Sequence, residues 1–174
     1  TNGLIVMPAS IRYKIHISIW GSDETSRAIR KAGKMLERQI GNYRGDPRAV
    51  FVYTLTRENI DQAEPVARLL ASEGCRLTFN MFSAPVGYAG GLRHTPGSLK
   101  ACRKTMLDLL ARYPQTVLFS AYSAVAHTHT LGMHDLYGCP YPRMNPSTDI
   151  GLGRSSTGAD DPGMAPATLP RASC

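Results

Sequence analysis

Long hydrophobic runs and closely spaced cysteines are both missing from this 174-residue chain. No stretch approaches the roughly 18 consecutive apolar residues that cross a bilayer, so the sequence predicts no membrane span. The four cysteines are Cys75, Cys102, Cys139 and Cys174, and no two of them form a CxxC pair. This spacing argues against a compact zinc knuckle and against a small disulfide framework, and it predicts a reducing, cytoplasmic compartment.

Aromatic residues are also scarce, at 7% of the chain with a single tryptophan, whereas the formal net charge is +7. Part of that charge comes from a basic cluster made of Arg27, Arg30, Lys31, Lys34, Arg38, Arg44 and Arg48. Platforms for single-stranded nucleic acid interleave basic with aromatic residues, so this cluster is more typical of a solvated helix face. Nucleic acid is therefore not an expected partner, although another anionic partner stays an alternative.

Two segments alternate between apolar and polar residues, as strands with two different faces do. In residues 15–20, Ile15, Ile17 and Ile19 point one way, and His16, Ser18 and Trp20 point the other. In residues 77–82, Thr78 and Asn80 lie opposite Leu77, Phe79 and Met81. An apolar face that packs under helices, with a polar face behind it, predicts a cavity lined by the polar side chains.

Helical patterns alternate with these strands. Ser22 or Asp23 is predicted to cap a single helix that ends near Gly41, and residues 49–56 form a continuous β-favouring run. Further helices are predicted at residues 59–73 and from Thr95, with one more short strand at residues 117–120. This order favours a parallel sheet with right-handed crossovers, either a partial (β/α) barrel or an open doubly wound sheet. The polar strand faces favour the barrel.

Several short pieces of the sequence, in this order, resemble the second half of the barrel of radical S-adenosylmethionine enzymes. The pieces are Thr1-Asn-Gly3, Ile17-Ser-Ile-Trp-Gly21 with Asp23-Glu24, Thr54-Leu-Thr56 with Asn59, Glu73-Gly74, and Asn80. In that family a Thr-Asn-Gly often ends the third strand, and the fourth, fifth and sixth strands follow. The CxxxCxxC motif of the family is absent from these 174 residues, so the chain is expected to begin inside a longer protein.

The resemblance implies an α/β fold whose residues 1–94 are the C-terminal half of the barrel. Residues 95–144 are then a mostly helical or irregular extension, and residues 145–174 are a disordered tail, because they contain few large apolar residues. The intact protein is expected to bind a [4Fe-4S] cluster and S-adenosylmethionine, and to abstract a hydrogen atom from a small-molecule or peptide substrate. An electron donor such as flavodoxin or ferredoxin is the implied partner, and the chain alone is expected to be inactive.

The resemblance also implies roles for individual residues. Ser18, Arg30, Thr78 and Asn80 are expected to bind the cofactor, with Arg30 holding its carboxylate and Asn80 and Thr78 meeting its adenine or ribose. His16 and Trp20 are expected to line the substrate cavity. Each residue also has a structural interpretation, such as a strand-end polar pair or a surface arginine.

A second group of residues suggests metal binding. His127, His129, His134 and Cys139 carry imidazole and thiolate ligands that suit zinc, but their spacing matches no standard closed site and their context is typical of a loop. The segment Cys139-Pro-Tyr-Pro-Arg143 resembles cysteine-containing extensions of some family members, where Cys139 would ligate an auxiliary cluster. The alternatives to the radical enzyme are therefore a metal-dependent α/β enzyme that uses His127, His129 and His134, and a non-catalytic basic binding domain.

Overall fold

A computed structural model describes residues 1–30, 33–83 and 90–128. In chain order its elements are β1 (Ile15–Ile19), α1 (Asp23–Arg30), α2 (Met35–Tyr43), β2 (Ala49–Leu55), a 3₁₀ turn (Ile60–Gln62), α3 (Ala63–Ser72), β3 (Leu77–Met81), α4 (Pro96–Arg112) and α5 (Ala121–His127). Predictions for Lys31, for residues 84–89, for His129, His134 and Cys139, and for the tail lie outside the described residues. No described helix has both the length and the apolar content needed to cross a bilayer.

The strands form one parallel sheet in the order β1-β2-β3. Ile17 is opposite Phe51 in the first pair, and Tyr53 is opposite Phe79 in the second. The α/β class predicted from the alternating pattern is therefore confirmed, and the partial barrel stays a prediction. Because the strand order follows the chain order, right-handed crossovers place successive helices on the same face of the sheet.

That face holds the hydrophobic core. The buried strand residues include Ile17, Phe51, Tyr53 and Leu77, each with no exposed surface. They belong to the same cluster as apolar residues of the helices, namely Leu36, Ile40, Ala63, Val66, Leu70, Cys102, Met106 and Leu109. Burial of this apolar area is the main stabilising contribution to the fold.

Further segments of the chain pair with both edges of the sheet. At the β1 edge the Thr1 nitrogen donates to the His16 carbonyl (2.9 Å), and the Ser18 N–H donates to the Thr1 carbonyl (3.0 Å). At the β3 edge Val117 forms a parallel bridge with Leu77, where the sequence predicts a strand. Thr1 and Val117 thus extend the parallel order of the sheet by one position on each side.

The segment after Thr1 is held against α2 by side chains of that helix. Gln39 donates to the Asn2 carbonyl (2.6 Å), and the Tyr43 hydroxyl donates to the Ile5 carbonyl (2.7 Å). Gly3 has a φ of 69°, and a Cβ there would lie 2.5 Å from Cγ2 of Ile17. Only glycine fits this position without displacing the core residue below it.

The predicted single helix after Ser22 is instead two helices, which is the clearest difference from expectation. Lys34 adopts a left-handed conformation (φ 52°) just before α2 and makes no side-chain cap. The Asp23 carboxylate supplies the cap from a distance, because it accepts from the N–H groups of Leu36 (2.7 Å) and Glu37 (3.3 Å). Asp23 therefore stabilises the second helix across the break.

Other helix predictions agree more closely. Thr95 caps α4 with a reciprocal pair of hydrogen bonds to Ser98, and Pro96 occupies the first helical turn. Pro65 lies in the first turn of α3, and Gly74 follows that helix with a φ of 65°. His127, predicted in a loop, instead ends helix α5, which is capped at Ser120.

Candidate functional site

The sheet face opposite the helices carries most of the predicted site residues. We define the open face as the side chains of His16, Ser18, Trp20, Val50, Val52, Thr54, Thr78, Asn80 and Phe82, which alternate with the core residues. His16 and Asn80 are exposed, Ser18, Val52 and Thr78 are half-buried, and Val50 and Thr54 are buried. The structure therefore brings five of the predicted residues, namely His16, Ser18, Trp20, Thr78 and Asn80, to one surface.

Strand register orders these side chains into rows. Val52 is opposite Ser18 on one side and Thr78 on the other, so the three residues cross the sheet in one row. Two strand spacings separate Ser18 from Thr78 by roughly 10 Å. The row nearer the strand ends contains Thr54 and Asn80.

The polar groups of the open face differ in how many hydrogen bonds they already make to the protein. The Thr78 hydroxyl donates to the Leu118 carbonyl (2.9 Å), and the Asn80 Oδ1 accepts from the Met81 N–H (3.0 Å). Within the described residues, the Ser18 hydroxyl and the Asn80 Nδ2 make no hydrogen bond to protein. Ser18 and Asn80 therefore retain polar groups that can bind a ligand.

Two aromatic rings stand at the end of the open face where β1 and β3 finish. Trp20 and Phe82 contact edge to face, with ring centroids 5.9 Å apart and planes at 63°. The Phe82 N–H donates to the Leu55 carbonyl (2.8 Å), so strand pairing continues to this residue. Phe82 was not among the predicted site residues, although its alternation with Met81 and Asn80 is the signal that places it there.

Asn59 joins the ends of β1 and β2 below these rings. Its Nδ2 donates to the carbonyls of Trp20 and Thr54, each at 2.9 Å, and its Oδ1 accepts from the Thr56 N–H at 2.7 Å. The Tyr53 hydroxyl donates to the Asn59 carbonyl (2.8 Å), and burial raises the pKa of that hydroxyl. One fully buried amide thus fixes the relative position of two strand ends.

Residues 90–94, which we name the strap, lie against the end of β2. The Arg57 N–H donates to the Leu92 carbonyl (3.3 Å), and the strap passes beside the Glu58 carboxylate at Gly91. His94 closes the strap, because its Nε2 lies 3.0 Å from the Leu55 carbonyl. Leu55 is the last residue of the central strand, so the strap borders the same end of the open face.

Arg30 is the last residue of α1, and its side chain lies outside the described part of the structure. The other described residues of the basic cluster do not converge on one common contact. Arg27, Lys34 and Arg38 are exposed, whereas Arg44 pairs with Glu73. Arg48 pairs with Asp46 (2.7 Å) and donates to the Pro8 carbonyl (2.8 Å), so it holds the N-terminal segment in place.

The described residues contain no group of three or more side chains able to hold a metal ion. His127 packs edge to face on Phe119, with centroids 5.6 Å apart, and burial lowers its pKa. Cys75 and Cys102 are both buried free thiols that belong to the core cluster on the helix side. Burial raises the pKa of both, that of Cys102 to about 12, so neither is an accessible thiolate.

A separate cavity of about 160 Å³ lies at the opposite end of the strands, among the residues that lead into β2 and β3. It is lined in part by Tyr43, Asp46, Cys75 and Arg76. None of the predicted site residues lines it.

Comparison with known proteins identified no relatives. No family model matches the chain, and neither curated proteins nor solved structures are significantly similar to it.

Proposed function

We propose that the sheet is part of the barrel of a radical S-adenosylmethionine enzyme and that its open face lines the cofactor cavity. The observation that supports this most strongly is the combination of chain-ordered parallel strands, a helix layer on one face, and Ser18, Thr78 and Asn80 on the other. A doubly wound sheet would bury both faces under helices. Here His16 and Asn80, on the two outer strands, stay exposed among the described residues, whereas Val50 and Thr54 on the central strand are buried.

The position of Thr1 adds independent support. In the proposed family a Thr-Asn-Gly often ends the strand before the one that carries the serine. Thr1 exchanges hydrogen bonds with His16 and Ser18 as a residue of a parallel neighbouring strand does. Gly3 turns directly over Ile17, where a side chain does not fit. The proposal requires that the Thr-Asn-Gly segment lie beside β1 in this way.

The two cofactors fit the described residues unequally. A four-iron cluster requires cysteine thiolates, and the described cysteines, Cys75 and Cys102, are buried in the helix-side core. Under the proposal, a CxxxCxxC segment outside these 174 residues holds the cluster. The adenosine part of S-adenosylmethionine is uncharged and rich in hydroxyl and amine groups, which suits a face without formal charge.

S-adenosylmethionine would supply the 5′-deoxyadenosyl radical, which abstracts hydrogen from the substrate. The residues of this chain would bind and orient it. The Ser18 hydroxyl both donates and accepts, the Asn80 amide donates, and Arg30 is assigned to the carboxylate on its sequence position alone. Trp20 and Phe82 would shield the cavity from water at the strand ends. A cytoplasmic location, a small-molecule or peptide substrate and a flavodoxin- or ferredoxin-like donor belong to the same proposal.

The test begins with the complete reading frame. We expect the sequence before Thr1 to encode CxxxCxxC, and the full-length protein to bind about four irons after anaerobic reconstitution with iron and sulfide. A Cys→Ala variant of that motif is the matched control and should lose the iron. A complete frame without the motif, or the same iron content in the control, would refute the proposal.

A further inference from the structure

The cavity at the start of β2 and β3 combines buried apolar walls with an exposed rim. Among its lining residues, the buried side chains of largest apolar area are Tyr43 and Phe51, and Ala49 is buried beside them. Gly45 and Gly74 also line the cavity and are exposed, so solvent reaches it. The cavity volume is about 160 Å³, and an apolar cavity of about 150 Å³ holds one benzene molecule. The space therefore suits a small apolar group.

Two cations meet at the rim of this cavity. The Lys14 Nζ donates to the Pro47 carbonyl (3.0 Å), and an Nη1 proton of Arg76 is donated to the same oxygen (3.4 Å). Arg76 and Pro47 both line the cavity. Among the described residues, neither Lys14 nor Arg76 forms an ion pair. These two side chains, which we name the rim cations, retain donors for an acceptor that the protein does not supply.

The neighbouring charges are already paired. The Asp46 carboxylate, which also lines the cavity, accepts from Arg48 at Oδ1 (3.0 Å) and at Oδ2 (2.7 Å). These hydrogen bonds hold the pKa of Asp46 below its usual range, so this carboxylate stays ionised beside the guanidinium. Arg44 pairs with Glu73 on the other side. Both pairs are neutral as a whole, and the rim cations leave this end of the sheet with positive charge.

We propose that the cavity binds a small organic monocarboxylate, with its carboxylate on the rim cations and an apolar group of about the size of benzene against Tyr43 and Phe51. A guanidinium matches a carboxylate, because two of its N–H groups donate to the two oxygens at once. The Asp46 carboxylate repels a second negative charge, which disfavours a phosphate dianion. Burial of the apolar group adds to the affinity.

This site is separate from the open face. The cavity lies at the opposite end of the strands, and none of the side chains that define the open face lines it. The inference therefore does not depend on the function proposed above, and its test uses neither S-adenosylmethionine nor an iron cluster.

Benzoate is the probe, and benzamide is its uncharged control of nearly the same shape. In an NMR titration of the protein, benzoate should give saturable shifts at the amides of Gly45, Gly74 and Arg76, with a Kd of about 1–10 mM, as expected of so small a ligand. Benzamide should bind at least about tenfold more weakly, because it brings no negative charge to the rim cations. Acetate, which lacks the ring, should bind at least about fivefold more weakly than benzoate.

Variants of the rim cations test the assigned residues. Arg76→Gln should weaken benzoate binding about 5- to 10-fold, and Lys14→Gln about 2- to 5-fold, because each removes one charged donor from a partly solvated site. Each wild-type side chain makes one hydrogen bond, to the Pro47 carbonyl, so both variants should fold. Arg68→Gln is the matched control, since Arg68 is an exposed cation of α3 that does not line the cavity, and it should bind as the wild type does.

Three results would overturn the proposal. They are the absence of saturable benzoate shifts at the cavity amides, equal affinity for benzoate and benzamide, and wild-type affinity in Arg76→Gln. Acetate binding as tightly as benzoate would overturn the placement of the apolar group in the cavity. The comparison of benzoate with benzamide and acetate uses the wild type, so it decides the matter even where a variant is unstable.

Discussion

The Nδ2 of Asn59 donates to the Trp20 carbonyl over 2.9 Å, which links the loop after β2 to the end of β1. The two residues are 39 positions apart in the chain, and the amide is fully buried. The same Nδ2 donates to Thr54, so the end of the open face depends on one side chain.

Replacing Asn59 should destabilise the protein strongly. Asn59→Ala removes three hydrogen bonds and leaves the Thr56 N–H and two carbonyls unsatisfied, at a cost of about 2–4 kcal/mol in the free energy of unfolding. Urea unfolding followed by the fluorescence of Trp20, the only tryptophan, measures the effect. Asn42→Ala is the control, because Asn42 makes one hydrogen bond, to the Gly3 carbonyl. Equal losses in the two variants would contradict the role given to Asn59.

Gly3 offers a test of the packing between the N-terminal segment and β1. Gly3→Ala should lower the free energy of unfolding by about 2–4 kcal/mol, because the new methyl group overlaps Ile17 and the φ is positive. Gly45→Ala is matched, with a φ of 74° and open space around the new methyl group, and should cost only about 1–2 kcal/mol. If Gly45→Ala costs as much as Gly3→Ala, the close contact with Ile17 contributes nothing.

Stability should fall on mild acidification through two histidines. Burial lowers the pKa of His94 and His127 below their ordinary value of 6.5. Each contribution is therefore complete above about pH 6.5 and is lost as the pH falls from 6.5 through the folded-state pKa. Urea midpoints at pH 7.5 and 5.0 measure the loss, which should shrink in His94→Gln and again in the double variant with His127→Gln. An unaltered loss in the double variant would contradict this assignment.

Ligand binding should depend on the open face without a matching effect on stability. In the full-length protein we expect Ser18→Ala and Asn80→Ala each to weaken S-adenosylmethionine binding about 3- to 10-fold, the value of one hydrogen bond. Isothermal titration calorimetry measures the affinity. Ser72→Ala, on the exposed surface of α3, is the control and should bind as the wild type does. Wild-type affinity in both open-face variants would show that Ser18 and Asn80 do not bind S-adenosylmethionine.

Local alternation was sufficient to predict much of this arrangement. The pattern of residues 15–20 and 77–82 placed Ser18, Thr78 and Asn80 on the face opposite Ile17 and Phe79, because side-chain direction in a strand depends only on parity. Thr95 and Pro96 likewise marked the start of α4 from their own chemistry. These features are set by neighbours in sequence.

Features that depend on distant contacts were not predictable. The cap that Asp23 gives to α2 reaches 13 residues along the chain to the Leu36 N–H, which apolar spacing does not reveal. The contact of His94 with Leu55 spans 39 residues, and no local pattern signals it. His127 lies at the end of helix α5 and packs on the Phe119 ring. The sequence near His127 does not indicate this contact.

The most direct test of the proposed function is the formation of 5′-deoxyadenosine by the full-length protein, reconstituted anaerobically and supplied with S-adenosylmethionine and dithionite. The account predicts 5′-deoxyadenosine in the wild type, less of it in Ser18→Ala, and none in a variant without the cluster cysteines. A reconstituted protein that holds its iron and S-adenosylmethionine but forms no 5′-deoxyadenosine above the cysteine-free control would contradict it.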